Sequence, residues 1–344
     1  MSGVGLSILY LGAERGTSLD RANALRRLGH RVEHVDLRKF LPRTAWVYPI
    51  IHRLGGHILG PWILHSLPAA LQRPHYDLCY VDGGELVTPR VIGLLRNYAT
   101  KIINYSIDDP LGNRDGAKFK AYRHSVADYD LCVVMRSMNI SEATCLGAKH
   151  VMRVYMSSDE VAHAPRVLTQ EERDHWKADV LFLGTWFPER GPFLLELVDH
   201  GIPLTIRGAN WHKAPEWPRL RLYWKGGPLQ GDDYAKAIQC AKVNLGLLSK
   251  GNRDLHTTRS MEIPALGGLL CAERTTEHLD LYTEGKEALF WSGVEECAAA
   301  CRSVLTNEEF RLRIAAAGQT RSVSNGNTNE NVMRAIVEQV SVQS

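Results

Sequence analysis

The sequence predicts an α/β fold made of two doubly wound parallel sheets, one in each half, with their ligand ends facing a central cleft. Three observations predict it. Short apolar runs alternate with helical patterns from Leu6 to Val154; a polar, proline-bearing stretch then interrupts; and the same alternation restarts at Asp179. Strand–helix alternation specifies a parallel sheet covered on both faces, because each crossover helix has to pack back onto the sheet. The length agrees: 344 residues exceed a single ordinary core.

Leu6–Leu11 (LSILYL) is the first buried strand. Ser18–Leu28 follows with apolar residues at helical spacing and Ser18 as a candidate cap; Gly29-His30 closes it. Arg31–Val35, Leu78–Val81, Lys101–Tyr105, Leu131–Val134 and His150–Val154 are further strands, separated by helices or loops. Residues 157–177 carry Pro165 and no core-like run, which makes them the expected linker. Beyond it come the strand Asp179–Leu183, the helix Pro192–Asp199, and strands at Leu204–Ile206, Lys242–Leu248 and Leu269–Ala272. Asp233–Ala241, His278–Tyr282, Thr306–Ala317 and Thr328–Val342 are helices. The expected domains are 1–160 and 178–327, with 328–344 a helix that crosses back to the first.

Composition narrows the class. Apolar content of 44% with 23% charged residues is globular, and a formal charge of +3 is too small to imply nucleic acid. The charge is uneven: 20 Lys/Arg stand against 15 Asp/Glu in residues 1–163, and 21 against 23 afterwards. Seven scattered cysteines with no CxxC suit a reduced cytoplasmic protein, and Cys297 and Cys301 lack the companion ligands of a zinc site. No secretory leader is visible, and no apolar run approaches the ~20 residues of a membrane span.

Ligands of such sheets sit at the C-terminal ends of strands, at the point where strand order reverses. That rule sorts the candidates. In Leu183–Arg190 (LGTWFPER) a strand ends in Gly184-Thr185 and a loop carrying Arg190 leads to a helix, whose free amides and dipole favour an anion. In Lys250–Glu262 (KGNRDLHTTRSME), Lys250, Arg253 and Arg259 crowd one loop with Asp254 and His256. Thr257 or Thr258 caps the helix that carries Glu262, and Gly267-Gly268 ends it. Each piece read alone is also an ordinary turn, a solvated basic loop or a common helix stop.

Together they resemble the CgeB-like branch of GT-B glycosyltransferases. Arg259, Glu262, Pro264, Ala265, Gly267 and Gly268 match its R-x-F-E-x-P-A-x-G-G pattern in order, with Met261 where an aromatic is usual. Glu273–Glu277, Gly285-Lys286-Glu287 and LGTWFPER add to the match, which covers roughly residues 178–320. The resemblance implies a retaining glycosyltransferase that takes a nucleotide-sugar donor in the second domain and needs no metal. Glu262 would then accept from the ribose hydroxyls, Asp254 would take the first place of an E-x7-E pattern facing the sugar, and Arg190 with Lys250 or Arg253 would hold the diphosphate. His256, Thr257, Thr258 and Arg259 complete the expected donor loop. Residues 226–234 occupy the nucleobase position, with Gly227, Pro228, Leu229 and Tyr234 the contacts, or else form a surface loop and cap.

The first domain would bind the acceptor, a glycan, a lipid-linked sugar or a small molecule. Its ligand-end loops are 12–18, 82–85 and 106–110. Asp108 and Asp109 are candidate bases, or a turn with a helix cap, and His124 is a further base candidate. Asp128-Tyr129-Asp130 precedes a strand and so lies at the wrong end of the sheet for a metal-binding D-x-D. Residues 37–76 hold no acid but five Arg/Lys, two Trp and four His. They are a surface for an anionic membrane or acceptor, or else a pair of helices covering the core. Two rival functions stay open: a non-catalytic nucleotide-sugar or glycan-binding protein, and a sugar-nucleotide epimerase.

Overall fold

The computed structural model describes residues 5–342. The chain forms two compact units. The first runs to Tyr155 and also holds Gly251–Arg253 and the chain from Asn329 onward; the second is Met156–Lys250 with Asp254–Thr328.

The first unit contains β1 (Ser7–Leu11), β2 (Arg31–Val35), β3 (Tyr76–Asp82), β4 (Ala99–Ser106), β5 (Leu131–Val134) and β6 (Val151–Arg153), all parallel in the order β2-β1-β3-β4-β5-β6. In the second, β7 (Ala178–Leu183), β8 (Leu204–Arg207), β9 (Ala241–Gly246), β10 (Leu270–Glu273) and β11 (Leu289–Trp291) are ordered β11-β10-β9-β7-β8. Both sheets follow the same winding: the chain steps outward once, returns, and then steps the other way. Each therefore has its switch point beside its first strand, between β1 and β3 and between β7 and β9.

Both cores are built from strand faces. In the second unit Val180 and Phe182 of β7 meet Leu194 and Leu197 of the helix Arg190–Asp199, and Val243 and Leu245 of β9 extend the cluster. Each side chain buried this way contributes roughly 1.5–3 kcal/mol. Cys271 joins Cys297 and Cys301 in the same core, three small apolar side chains brought together by folding. In the first unit the sheet centre is polar. Arg21, on the helix Gly16–Arg27, pairs with Asp82 at 2.7 Å; the two side chains are 4% and 5% exposed. Tyr10 donates to the same carboxylate at 2.5 Å and stacks on Tyr80 at 4.9 Å. After Asp82 the chain turns through Gly83 and Gly84, at φ +98° and +101°. A Cβ on Gly84 would stand 2.9 Å from Asn104 Nδ2, so this turn needs glycine on both counts.

Several elements differ from expectation. The stretch expected to be a linker contains the helix Gln170–Trp176, started by a capping box of Thr169 and Glu172, and belongs to the second unit. A polar composition hid it, because its stability comes from caps rather than apolar burial. Strand β11 is three residues long, too short for an alternation signal. The helix after β7 begins at Arg190 itself, two residues earlier than expected. The helix Asn329–Val342 belongs to the first unit, where Arg27 bonds Glu330 at 2.6 Å. No helix among the described residues is long and apolar enough to cross a membrane.

The dry Arg21–Asp82 pair gives a stability test. Removing one partner of a buried ion pair costs about 3–5 kcal/mol, whereas replacing both with apolar groups is far milder. In urea unfolding Arg21→Met should lose that amount, and Arg21→Met/Asp82→Leu should regain most of it.

Candidate functional site

At the switch point of the second sheet the chain leaves β7 through Gly184-Thr185 and leaves β9 through Leu247–Lys250. Arg190 joins the two exits. It is the first residue of its helix, 6% exposed, and donates to Thr185 O at 2.9 Å and to Leu247 O and Leu248 O, both at 3.1 Å. Its guanidinium lies 4.5 Å from the ring centre of Phe187 and 5.5 Å from that of Phe182, and its buried Nε has no partner. No carboxylate forms an ion pair with it among the described residues. Burial, and then the charge of Arg259, hold its pKa down at about 10, still cationic at neutral pH. Arg259 donates from Nε to Leu183 O at 2.6 Å. Two guanidiniums thus crowd the end of β7, and an arriving anion would relieve both burial and mutual repulsion.

Beside them lies a cavity of ≈ 260 Å³, lined by Glu189, Arg190, Phe193, Lys250, Glu273 and Trp291 among others. Phe193 and Trp291 stack at 4.5 Å to form an aromatic wall. Lys250 pairs with Glu273, whose other oxygen accepts from Leu248 N at 3.1 Å. Asp254 is buried, and with Glu189 and Glu273 it supplies the negative field that favours the Arg190 charge. Gly184 is closely packed: a Cβ there would meet Phe182 at 2.6 Å and Arg190 at 3.3 Å, and its carbonyl accepts from Trp211 Nε1 at 2.9 Å.

Glu262 lies on the helix Thr258–Ala265. Thr257 is the residue that begins it, its N–H donating to Ser260 Oγ at 3.1 Å; Thr258 is the first helical residue. Pro264 removes a helical donor, and the Ser260 carbonyl that it would have served accepts instead from Tyr282 Oη at 2.8 Å. Gly267, at φ +79°, stops the helix. Glu262 is 4% exposed and accepts a hydrogen bond from Tyr234, with His163 Nε2 at 3.6 Å. Tyr234 sits on the helix Gly231–Cys240, so the residues expected at ribose and nucleobase are in direct contact. Burial, then the Glu262 charge, push the Tyr234 phenol well up. Before that helix, Gly227 and Pro228 are exposed and Leu229 is half-buried.

Other expected residues are used differently. His256 donates from Nδ1 to Glu277 at 2.5 Å and accepts at Nε2 from Met156 N at 2.9 Å, so both ring nitrogens are spent inside the unit. Arg253, at φ +55°, belongs to the first unit. Its fork holds Asp109 at 2.6 and 2.9 Å and Glu142 at 2.6 and 3.0 Å. Asp109 also accepts from Asn139 at 3.0 Å and from two backbone amides. Burial alone would raise its pKa, but the bonds from Arg253 and Asn139 override it and lower it. Bonded in this way the carboxylate holds its own turn together with Arg253, the alternative to a base that the sequence left open. Asp108 pairs with Lys118 at 3.0 Å, and that charge likewise outweighs burial to lower its pKa. His124 is exposed on the helix Lys120–Ser125, its ring 6.3 Å from that of His57. Asp130 is held by Arg96 at 2.5 Å before β5.

Residues 190–338 match the family model described as glycosyl transferase-like. No curated protein matches the chain by sequence. Among solved structures, sucrose-phosphate synthase from Thermosynechococcus elongatus is similar at a TM-score of 0.70 and 12% identity, over 98% of each chain. HepE from Anabaena, in complex with UDP-glucose, gives 0.67 and 11%, over 98% of this chain and 100% of that one. A UDP-forming α,α-trehalose-phosphate synthase from Burkholderia xenovorans, in complex with glucose-6-phosphate, gives 0.61 and 12%, over 97% and 99%. The fold is that of the GT-B glycosyltransferases, with two Rossmann-like domains.

His278 supplies a pH test of this packing. It is fully buried, donates from Nδ1 to Glu273 O at 2.6 Å and accepts from Ser260 Oγ at 2.7 Å, and burial lowers its pKa from 6.5 to about 4. The unfolded chain therefore binds more protons between those values, so stability falls as pH drops from 6.5 towards 4, by up to about 3 kcal/mol. Denaturation midpoints across that window should show the slope, and His278→Gln should flatten it.

Proposed function

We propose that the protein is a glycosyltransferase that moves a sugar from a nucleoside-diphosphate sugar to an acceptor. The observation that carries this is the convergence, at one strand end, of two guanidiniums without a bonded carboxylate and a buried Glu262 touching Tyr234. In this reading Arg190, Arg259 and Lys250 receive the diphosphate, Glu262 anchors the ribose, and residues 227–234 take the base. Departure of the nucleoside diphosphate leaves negative charge, and cations already positioned by carbonyl bonds stabilise it without reorganising. These side chains supply the charge that a bound metal would otherwise bring, so turnover is proposed to be metal-independent. Asp254 faces the transferred sugar, and the spacing to Glu262 supports transfer with retention. A UDP-sugar is the first donor to test, because the similar HepE and trehalose-phosphate synthase structures are described with UDP-glucose or as UDP-forming. The acceptor is assigned to the ligand end of the first unit. A cytoplasmic setting rests on seven cysteines, all free.

One observation favours a rival reading. Asp109, one of the two candidate bases by sequence, has both oxygens hydrogen-bonded, as a binding protein without turnover would allow.

Nucleotide release from UDP-glucose by the purified protein, with and without chelator, decides between them. The transferase reading expects release insensitive to chelator and reduced about 10²–10³-fold by Arg190→Ala, the loss typical of one charge-stabilising donor. Glu262→Ala should abolish saturable donor binding. Tight donor binding with no release under any acceptor would establish the binder instead.

A further inference from the structure

Residues 37–76 are a surface feature that the donor site leaves unused. They fold into short helices, Val47–Arg53 and Gly60–Ala70, with single turns at Leu37–Phe40 and Gly56–Leu59. The inner faces are ordinary: Ile51, Leu59, Ile63 and Leu67 are buried in the core of the first unit. The outer faces are not. Trp46, Tyr48, Leu54, Ile58 and Trp62 are exposed, Tyr48 by 68% and both tryptophans by 44%. Among the described residues, these three aromatics are the only exposed Trp, Tyr or Phe of that degree. Single exposed apolar side chains are unremarkable, but five within seventeen residues concentrate apolar surface that water disfavours.

The charge carried by the segment itself has one sign. The 40 residues contain no Asp or Glu. Arg38 and Lys39 are neutralised by Glu85 and Glu14 from elsewhere in the unit. Arg43 and Arg53, close in sequence to Trp46 and Leu54, are exposed, and neither forms an ion pair among the described residues. Exposed Trp and Tyr beside unpaired Arg is the chemistry of the headgroup layer, where an aromatic body rests at the acyl boundary and a cation meets phosphate. Trp, Tyr and Arg also anchor protein interfaces, which makes a second copy of the chain the competing occupant; a segment of 40 residues without an acid favours an anionic surface.

We propose that residues 46–62 form a peripheral docking surface for an anionic membrane. Attachment through this surface depends on both apolar insertion and charge. The surface stands on its own observations; its use, presenting the protein to an acceptor held at a membrane, rests on the glycosyltransferase reading.

Co-sedimentation of the full chain with phosphatidylcholine vesicles, with and without phosphatidylglycerol, tests it. Binding should require phosphatidylglycerol and weaken as salt rises. Each basic residue near an anionic surface contributes roughly fivefold in affinity, so Arg43→Gln/Arg53→Gln should cost roughly twenty-five-fold. Trp46→Ser/Tyr48→Ser/Trp62→Ser should cost at least about tenfold, as loss of three inserted rings requires. Both variants should keep wild-type affinity for UDP-glucose. Absence of binding to either vesicle, or binding that both variants retain, overturns the proposal. So does a dimer in sedimentation velocity that the aromatic variant abolishes, since the patch would then serve a second copy. Vesicle binding without any nucleotide-sugar binding would leave this surface standing and remove the transferase reading.

Discussion

The guanidinium of Arg190 is buried among carbonyls and aromatic rings, with no carboxylate bonded to it among the described residues. The second unit is arranged around that fact. Three backbone oxygens from the exits of β7 and β9 point at one cation, so the loops on either side of the switch point are held to each other. Lys250 follows directly from the second exit and is tied to Glu273 at the end of β10. Arg259 reaches the first exit from the helix beyond. Positions that carry charge are thus set by main-chain geometry, which a ligand does not have to rebuild on arrival.

The helix of Glu262 shows how local sequence choices serve that arrangement. Thr257 starts it, Pro264 gives up a helical bond to Tyr282, and Gly267 stops it so that β10 can begin at Leu270. Between these markers Glu262 has room for one buried carboxylate, met by Tyr234 and approached by His163. Burying an acid is costly unless it is bonded, so the contact with Tyr234 both stabilises the carboxylate and orients it.

Much of this was legible in the sequence, and the gaps have physical causes. Alternation of apolar runs and helical patterns yielded ten of the eleven strands among the described residues, most of them because parallel strands buried on both faces are nearly continuous in apolar residues. β11 escaped because three residues cannot show a period, and the helix Gln170–Trp176 because caps leave no apolar stripe. The strand-end rule placed Gly184, Thr185, Arg190 and Lys250 in one neighbourhood, since it depends only on chain direction. It could not say that Arg253, three residues from Lys250, bonds Asp109 and Glu142. Nor could it show His256 spent on Glu277, or His163 beside Glu262. Partners that lie 21 to 144 residues apart leave no local trace.

The central claim is that Glu262 reads the ribose of a nucleotide. Its most direct test is calorimetric affinity for UDP against 2′,3′-dideoxy-UDP, in the wild type and in Glu262→Gln, with folding of both checked by circular dichroism. A carboxylate accepting from ribose hydroxyls makes charge-assisted bonds worth roughly 1.5–3 kcal/mol each. The wild type should therefore prefer UDP by at least about tenfold, and the variant should lose most of that preference while still binding the dideoxy nucleotide. A variant that discriminates as well as the wild type, or a wild type that binds both nucleotides equally, would contradict the account.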